Sequence, residues 1–147
     1  MKVLVTGGAG YIGSFMVKRL LEEEYEVVVV DSLERGYREV IDKKAKFLQG
    51  NLLDKKFVSD LFSHKFDAVI HFAGYISMSE SMQNPFIYFE NNTLAALQLL
   101  EEMRKNNINN FIFSSTAGVY GNPIKVPISE NHSKNPTNPY GESKLMV

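Results

Sequence analysis

The stretch VTGGAGYIG, residues 5 to 13, constrains the chain more than any other. It grows out of KVLVT (2 to 6), a short β-branched run without polar alternation, as expected for a strand buried on both faces. After the glycines, Ile12, Phe15, Met16, Leu20 and Leu21 recur at helical spacing, with Lys18, Arg19, Glu22 and Glu23 on the other faces. The order is therefore strand, glycine turn, helix. Gly7, Gly10 and Gly13 stand three apart, with Gly8 in addition, whereas the usual dinucleotide spacing is G-x-G-x-x-G. The physical job is the same: small residues let the backbone approach a pyrophosphate at the helix N-terminus, and Gly13 lets helix and strand pack closely. A merely flexible turn is the alternative, and the clear strand and helix on either side favour nucleotide binding.

Further buried strands are expected at EVVVVD (26 to 31), AKFLQG (45 to 50), FDAVIHFAG (66 to 74) and NNFIFSSTA (109 to 117). A short helix near 54 to 63 and a long one from about 86 to 105 lie between them. Strands alternating with helices predict an α/β fold: a doubly wound parallel sheet with right-handed crossovers and helices on both faces. Residues 121 to 139 carry Pro123, Pro127, Pro136 and Pro139 among asparagines and serines and predict a loop. It closes with Asn138 as N-cap and Pro139 at the first helical position, so a helix should open at Tyr140 or one residue earlier.

At 147 residues, 44% hydrophobic and 22% charged, the chain has the size and composition of one globular domain. A net charge of -1 with mixed signs gives no general pull towards nucleic acid or anionic membrane. The absence of cysteine excludes disulfides and thiolate metal sites. Residues 1 to 5 carry no signal-peptide apolar region, and no apolar run reaches membrane-spanning length, so the chain reads as soluble and cytoplasmic. His64, His71 and His132 lack ligand spacing, and no metal is expected.

Asp31 closes the second strand 18 positions after Gly13, close to where an acidic residue meets an adenine ribose. A carboxylate there accepts from the 2'- and 3'-hydroxyls and repels a 2'-phosphate, which favours NAD over NADP. An aspartate that only caps a turn is the alternative, and nearby Arg35 and Arg38 would soften the preference. Tyr140 and Lys144 share one helix face and form a plausible proton-transfer pair. With seven tyrosines in the chain, such a pair occurs by chance about as often as not, so its weight comes from context. It opens the helix after the fifth strand, downstream of Ser114, Ser115 and Thr116 at that strand's carboxyl end, where ligands of parallel sheets sit. The competing account has Tyr140 packing its ring on the sheet and Lys144 as a solvated helix charge. Only three residues follow Lys144, too few to finish the helix.

The segments TGGAGYIGS, HFAG, NNFIFSSTAGVYGNP and NPTNPYGESKL together resemble the extended short-chain dehydrogenase/reductase family, in particular its sugar-nucleotide epimerases. The resemblance covers all 147 residues and implies a Rossmann-type domain over 1–147, cut inside its catalytic helix, with the substrate domain absent. It implies that Gly7, Gly10, Tyr11, Ile12 and Gly13 hold the pyrophosphate, Asp31 and Ser32 the adenosine ribose, and Asn51 and Leu52 the adenine. Phe72, Ala73 and Gly74 would line the cofactor, with Asn91 and Ser114 approaching its nicotinamide side. Thr116 would hydrogen-bond the sugar's 4-hydroxyl, Tyr140 act as base and acid, and Lys144 bind the nicotinamide ribose and tune Tyr140. Asn51 stands where the family often has aspartate, Ile76 where some members have lysine, and Phe15 where many have histidine.

The implied activity is NAD-dependent inversion of C4 of a UDP-hexose through a transient 4-keto sugar. A free phenol titrates near pH 10, so a basic phenol near pH 7 requires a shift of roughly three units, or about 4 kcal/mol; the Lys144 ammonium and a positive nicotinamide ring are the implied source. The related 4,6-dehydratases follow the threonine with an Asp-Glu pair, and here Thr116 is followed by Ala117 and Gly118. Epimerases acting on other UDP-sugars, and a non-catalytic NAD-binding sensor, remain as alternatives. The resemblance also implies a homodimer for the complete protein, with Leu94, Leu97, Leu100 and Met103 as core or interface. The 147 residues alone are expected to be inactive.

Overall fold

Five parallel strands pair in the order β3-β2-β1-β4-β5, with β1 Lys2–Thr6, β2 Glu26–Asp31, β3 Lys46–Gln49, β4 Ala68–His71 and β5 Phe111–Phe113. The computed structural model describes residues 1–147. β1 is central, with Val5 opposite Val29 on one side and Ile70 on the other. Four consecutive valines of β2, Val27 to Val30, are all buried. Because successive strand side chains point to opposite faces, an unbroken buried run means that helices cover both faces of the sheet. Burying each such valine contributes roughly 1.5 kcal/mol or more.

The chain divides into two compact units. The first comprises Met1–Ala73 and Gln98–Ser114, and contains the sheet, α1 (Tyr11–Glu22), α2 (Lys55–Leu61) and most of α5 (Ala95–Lys105). Helix α1 buries Gly13 and Val17, with Met16, Leu20 and Leu21 packed on the same core. Ile12 and Phe15 do not join them: both are exposed, and the buried stripe is rotated by one position because Gly13 takes the place nearest the sheet. Helix α2 starts at Asp54, whose carboxylate accepts the N–H groups of Lys56 and Phe57.

The second unit comprises Gly74–Leu97 and Ser115–Val147. It contains α3 (Met78–Gln83), α4 (Pro85–Tyr88), a π turn over Phe89–Leu94, a 3₁₀ turn over Ala117–Tyr120 and α6 (Pro139–Leu145). The predicted single helix over 86 to 105 is thus α4, π turn and α5 in succession, and α3 has no counterpart in the sequence reading. Helix α6 opens as its sequence predicts: the Asn138 side chain accepts the Gly141 N–H at 2.8 Å, and Pro139 occupies the first turn. Strands 4 and 5 are shorter than expected. Beyond β5 the Thr116 hydroxyl accepts the Gly118 N–H, which turns the backbone into the 3₁₀ segment. No helix is long and apolar enough to cross a membrane.

Candidate functional site

Gly7 leaves β1 with φ +72°, and a Cβ there would lie 2.5 Å from Ala73 N and 2.7 Å from Phe72 C. Only glycine combines that conformation with so close an approach to the exit of β4. A Cβ at Gly13 would collide with the Gly7 carbonyl, so the first turn of α1 lies directly against the strand exit. Gly8 packs under the Val29 side chain. Gly10, at the N-cap, has no side chain to cap the helix, and the first turn carries no acidic residue. The helix therefore presents uncapped N–H groups at its positive end, which is what an anion requires. Tyr11 and Ile12, both exposed, stand at this end. Tyr11 meets Phe15 edge to face at 5.4 Å.

Asp31 caps a turn and also braces the glycine loop. Its carboxylate accepts the Leu33 N–H at 2.9 Å, capping the turn, and the Ala9 N–H at 3.0 Å, fastening the end of β2 to the glycine turn. Two N–H donors leave further lone pairs on a carboxylate that is only half buried, so it retains capacity for ribose hydroxyls. Ser32 is exposed, and its hydroxyl accepts the Glu34 N–H. The Arg38 guanidinium lies over the Phe47 ring, 4.5 Å from its centroid. Asn51 is exposed; its side-chain oxygen accepts the Leu53 N–H, which leaves its amide donors unused by that turn. Leu52 is buried, so its side chain belongs to the core.

Phe72 and Ala73, at the exit of β4, are half buried, and the Phe72 N–H pairs with the Thr6 carbonyl. Ser114 extends β5 by one residue through its N–H to the His71 carbonyl. His71 is a core residue, fully buried, stacked on Phe111 and Phe113, with Nδ1 2.6 Å from the Thr6 hydroxyl. In the first unit, then, Gly7, Gly10, Gly13, Asp31, Ser32, Phe72, Ala73 and Ser114 gather at the carboxyl ends of β1, β2, β4 and β5. This is the edge at which parallel sheets bind ligands.

The second unit carries Gly74, Asn91, Thr116, Tyr140 and Lys144. Thr116 Oγ1 accepts the Gly118 N–H at 3.1 Å and so keeps its own proton available for donation. The Tyr140 ring packs edge to face on the buried Tyr88, 6.3 Å between centroids. Lys144 is 4% exposed, which excludes a solvated helix charge. A Cβ at Gly74 would lie 3.1 Å from both Lys144 Nζ and Asn92 Oδ1, so the ammonium lies against that backbone. Burial pushes the Lys144 pKa down to about 8.

Asn92, Thr93, Tyr88 and Ser143 were missed by the sequence reading. Asn92 Oδ1 accepts the Tyr75 N–H at 2.7 Å and Nδ2 donates to the Tyr75 carbonyl at 3.0 Å, a two-point clamp. Asn91 donates to Asn92 Oδ1 at 3.2 Å and so reaches this clamp from its side. The Tyr88 hydroxyl donates to Glu80 at 2.6 Å and accepts the Ser77 N–H. These contacts span up to 51 positions, and no local periodicity announces them.

An NAD molecule fits the residues of the first unit on the structure's own terms: a cradle that a Cβ would fill, an uncapped helix N-terminus, and an anchored carboxylate at the neighbouring strand end. The comparisons agree. The model of the NAD dependent epimerase/dehydratase family matches residues 3–147. The UDP-glucose 4-epimerase of Streptococcus mutans serotype c is 53% identical over 100% of this chain and 45% of its own length. A crystal structure of a UDP-glucose 4-epimerase superposes with TM-score 0.96 at 46% identity, covering 99% of this chain and 44% of that one. The UDP-glucose 4-epimerase from Brucella ovis, solved in complex with NAD, gives TM-score 0.95 at 38% identity over 99% of this chain and 45% of its own. The chain spans about 45% of the length of the curated relatives it matches. With the family model matching 145 of the 147 residues, and relatives of this identity covering the chain from end to end, the chain belongs to the NAD dependent epimerase/dehydratase family.

Proposed function

We propose that residues 1–147 are the NAD-binding domain of a nucleotide-sugar epimerase that inverts C4 of a UDP-hexose, interconverting UDP-glucose and UDP-galactose through a 4-keto sugar. Lys144 carries this reading: a lysine drawn out of water four residues after a half-buried tyrosine is costly as packing and useful as chemistry. The 53% identity to a UDP-glucose 4-epimerase supports it, as do relatives captured with NAD.

In this reading Gly7, Gly10 and Gly13, with the N–H groups of Tyr11 and Ile12, hold the pyrophosphate. Asp31 and Ser32 take the adenosine ribose, Asn51 and the Leu52 backbone the adenine, and Phe72, Ala73, Gly74, Asn91 and Ser114 the nicotinamide half. NAD, when bound, supplies the acceptor and donor for the hydrogen at sugar C4. Tyr140 takes the proton of the 4-hydroxyl through its phenolic oxygen and later returns it. The Thr116 hydroxyl donates to the sugar's 4-oxygen, a proton it has free because Gly118 N–H occupies only a lone pair. The Lys144 ammonium holds the nicotinamide ribose and stabilises negative charge on the phenol. Ala117 and Gly118 offer no acid, which favours epimerisation over 4,6-dehydration. The protein is placed in the cytoplasm as part of the same proposal, and as a homodimer: Leu94 and Leu97 are exposed apolar residues available to a second copy.

The test is a chimera in which these residues continue into the remainder of the Streptococcus mutans relative. Given UDP-glucose, it should form UDP-galactose, resolved by ion-pair chromatography, and sediment as a dimer. A folded, NAD-loaded chimera that leaves UDP-glucose unchanged would overturn the proposal.

A further inference from the structure

Residues Phe89–Leu94 are wound as a π turn between two α-helical segments. In a regular α-helix Thr93 would stand about 140° around the axis from the buried Tyr88. A turn closed by i→i+5 bonds places residues five apart on one face, and Thr93 is indeed buried beside Asn92. Both side chains end on one residue of α6. Asn92 Nδ2 donates to Ser143 Oγ at 3.0 Å, and the Thr93 hydroxyl donates to the Ser143 carbonyl at 3.0 Å. Ser143 Oγ in turn donates to the Tyr140 carbonyl at 2.8 Å. The Ser143 carbonyl lies in a fully buried residue, and the threonine hydroxyl supplies it with a donor.

We propose that Ser143, gripped by Asn92 and Thr93 of the π turn, is a positioning residue: it fixes the rotation and depth of α6 and thereby where the Tyr140 phenol and the Lys144 ammonium stand. Ser143 lies between the two functional residues, fully buried, and its hydroxyl reaches back to the Tyr140 carbonyl. The Asn92 clamp on Tyr75 ties the same grip to the backbone beside which Lys144 Nζ lies. The catalytic part of this inference rests on the epimerase reading; the placement of Lys144 does not.

Three variants test it. Thr93→Val removes the hydroxyl at constant shape, Thr93→Ser restores a donor, and Ser143→Ala removes the relay to Asn92 and Tyr140. In the 147-residue chain labelled at lysine ¹³Cε, the Lys144 signal, identified by its loss in Lys144→Met, reports the titration midpoint. Thr93→Val and Ser143→Ala should move that midpoint upwards by about one pH unit as water reaches the ammonium, and Thr93→Ser should restore it. In the chimera the first two should lower kcat at least about tenfold with KM for UDP-glucose changed by less than about threefold. Unmoved midpoints, or moved midpoints with unchanged kcat, overturn the proposal. Should Ser143→Ala fail to fold, the isosteric Thr93→Val decides alone. A chimera that never turns over UDP-sugars while the midpoints shift as stated counts against the epimerase reading and for the placement role of Ser143.

Discussion

The Asp31 carboxylate receives the Ala9 N–H at 3.0 Å, so the end of the second strand and the glycine turn after the first are one mechanical piece. The turn keeps its shape before any ligand arrives, and the residue proposed to recognise the ribose is the one that braces the phosphate cradle.

Asp31→Ala should therefore damage both. It removes acceptors for two backbone N–H groups, which predicts a loss of about 1–3 kcal/mol in urea denaturation. NAD affinity, read by isothermal titration, should fall at least about tenfold. A variant with native stability and native affinity would show that the brace does not hold the cradle.

Gly13→Ala sets a new methyl against the Gly7 carbonyl, whereas at Gly10 the nearest atom would be that carbonyl at 3.3 Å. The first substitution should cost about 1–3 kcal/mol and most of the NAD binding, and the second distinctly less. Equal effects would contradict the close approach of α1 to the strand exit.

Lys144 titrates near 8 when folded and at 10.5 when unfolded. Below pH 8 it is charged in both states and the burial penalty is complete. Between pH 8 and 10.5 the unfolded chain binds more protons, so stability rises across that window, by up to about 3 kcal/mol. Urea midpoints at pH 7.5 and 9.5 should accordingly converge between the wild type and Lys144→Met, the variant being ahead at the lower pH. Parallel pH dependence in the two proteins would mean that the cation is not desolvated.

Tyr140→Phe in the chimera removes the proposed proton acceptor but keeps the ring that packs on Tyr88. Turnover of UDP-glucose should drop by about 10²–10⁴-fold with NAD retained. Turnover at the wild-type rate would take Tyr140 out of the reaction.

The strands, the glycine turn and the start of α6 were legible because each is announced locally: by β-branched runs, by glycine spacing, and by Asn138-Pro139. The Tyr140 and Lys144 pair was legible only through context. The π turn was invisible, since Tyr88, Asn92, Ala96 and Leu99 keep helical spacing straight through it and one wide turn leaves no mark in such a pattern. Ser143 was invisible for another reason: a serine in a helix carries no signal until the partners 50 and 51 positions upstream are seen to reach it. The exposure of Ile12 and Phe15 was misjudged because glycine has no hydrophobic weight, yet Gly13 occupies the buried position.

In the proposed NAD site, the stacking of Arg38 on Phe47 bears on how readily the preference could be changed to a phosphorylated cofactor. A guanidinium spread over an aromatic face is committed there, and the neighbouring carboxylate repels the extra phosphate, so two obstacles must fall together. Neither Asp31→Ser nor Phe47→Ala alone should raise NADP affinity much, while the double variant should exceed the sum of its parts. Cofactor preference would then behave as an epistatic lock, opened by paired substitutions rather than by a single step.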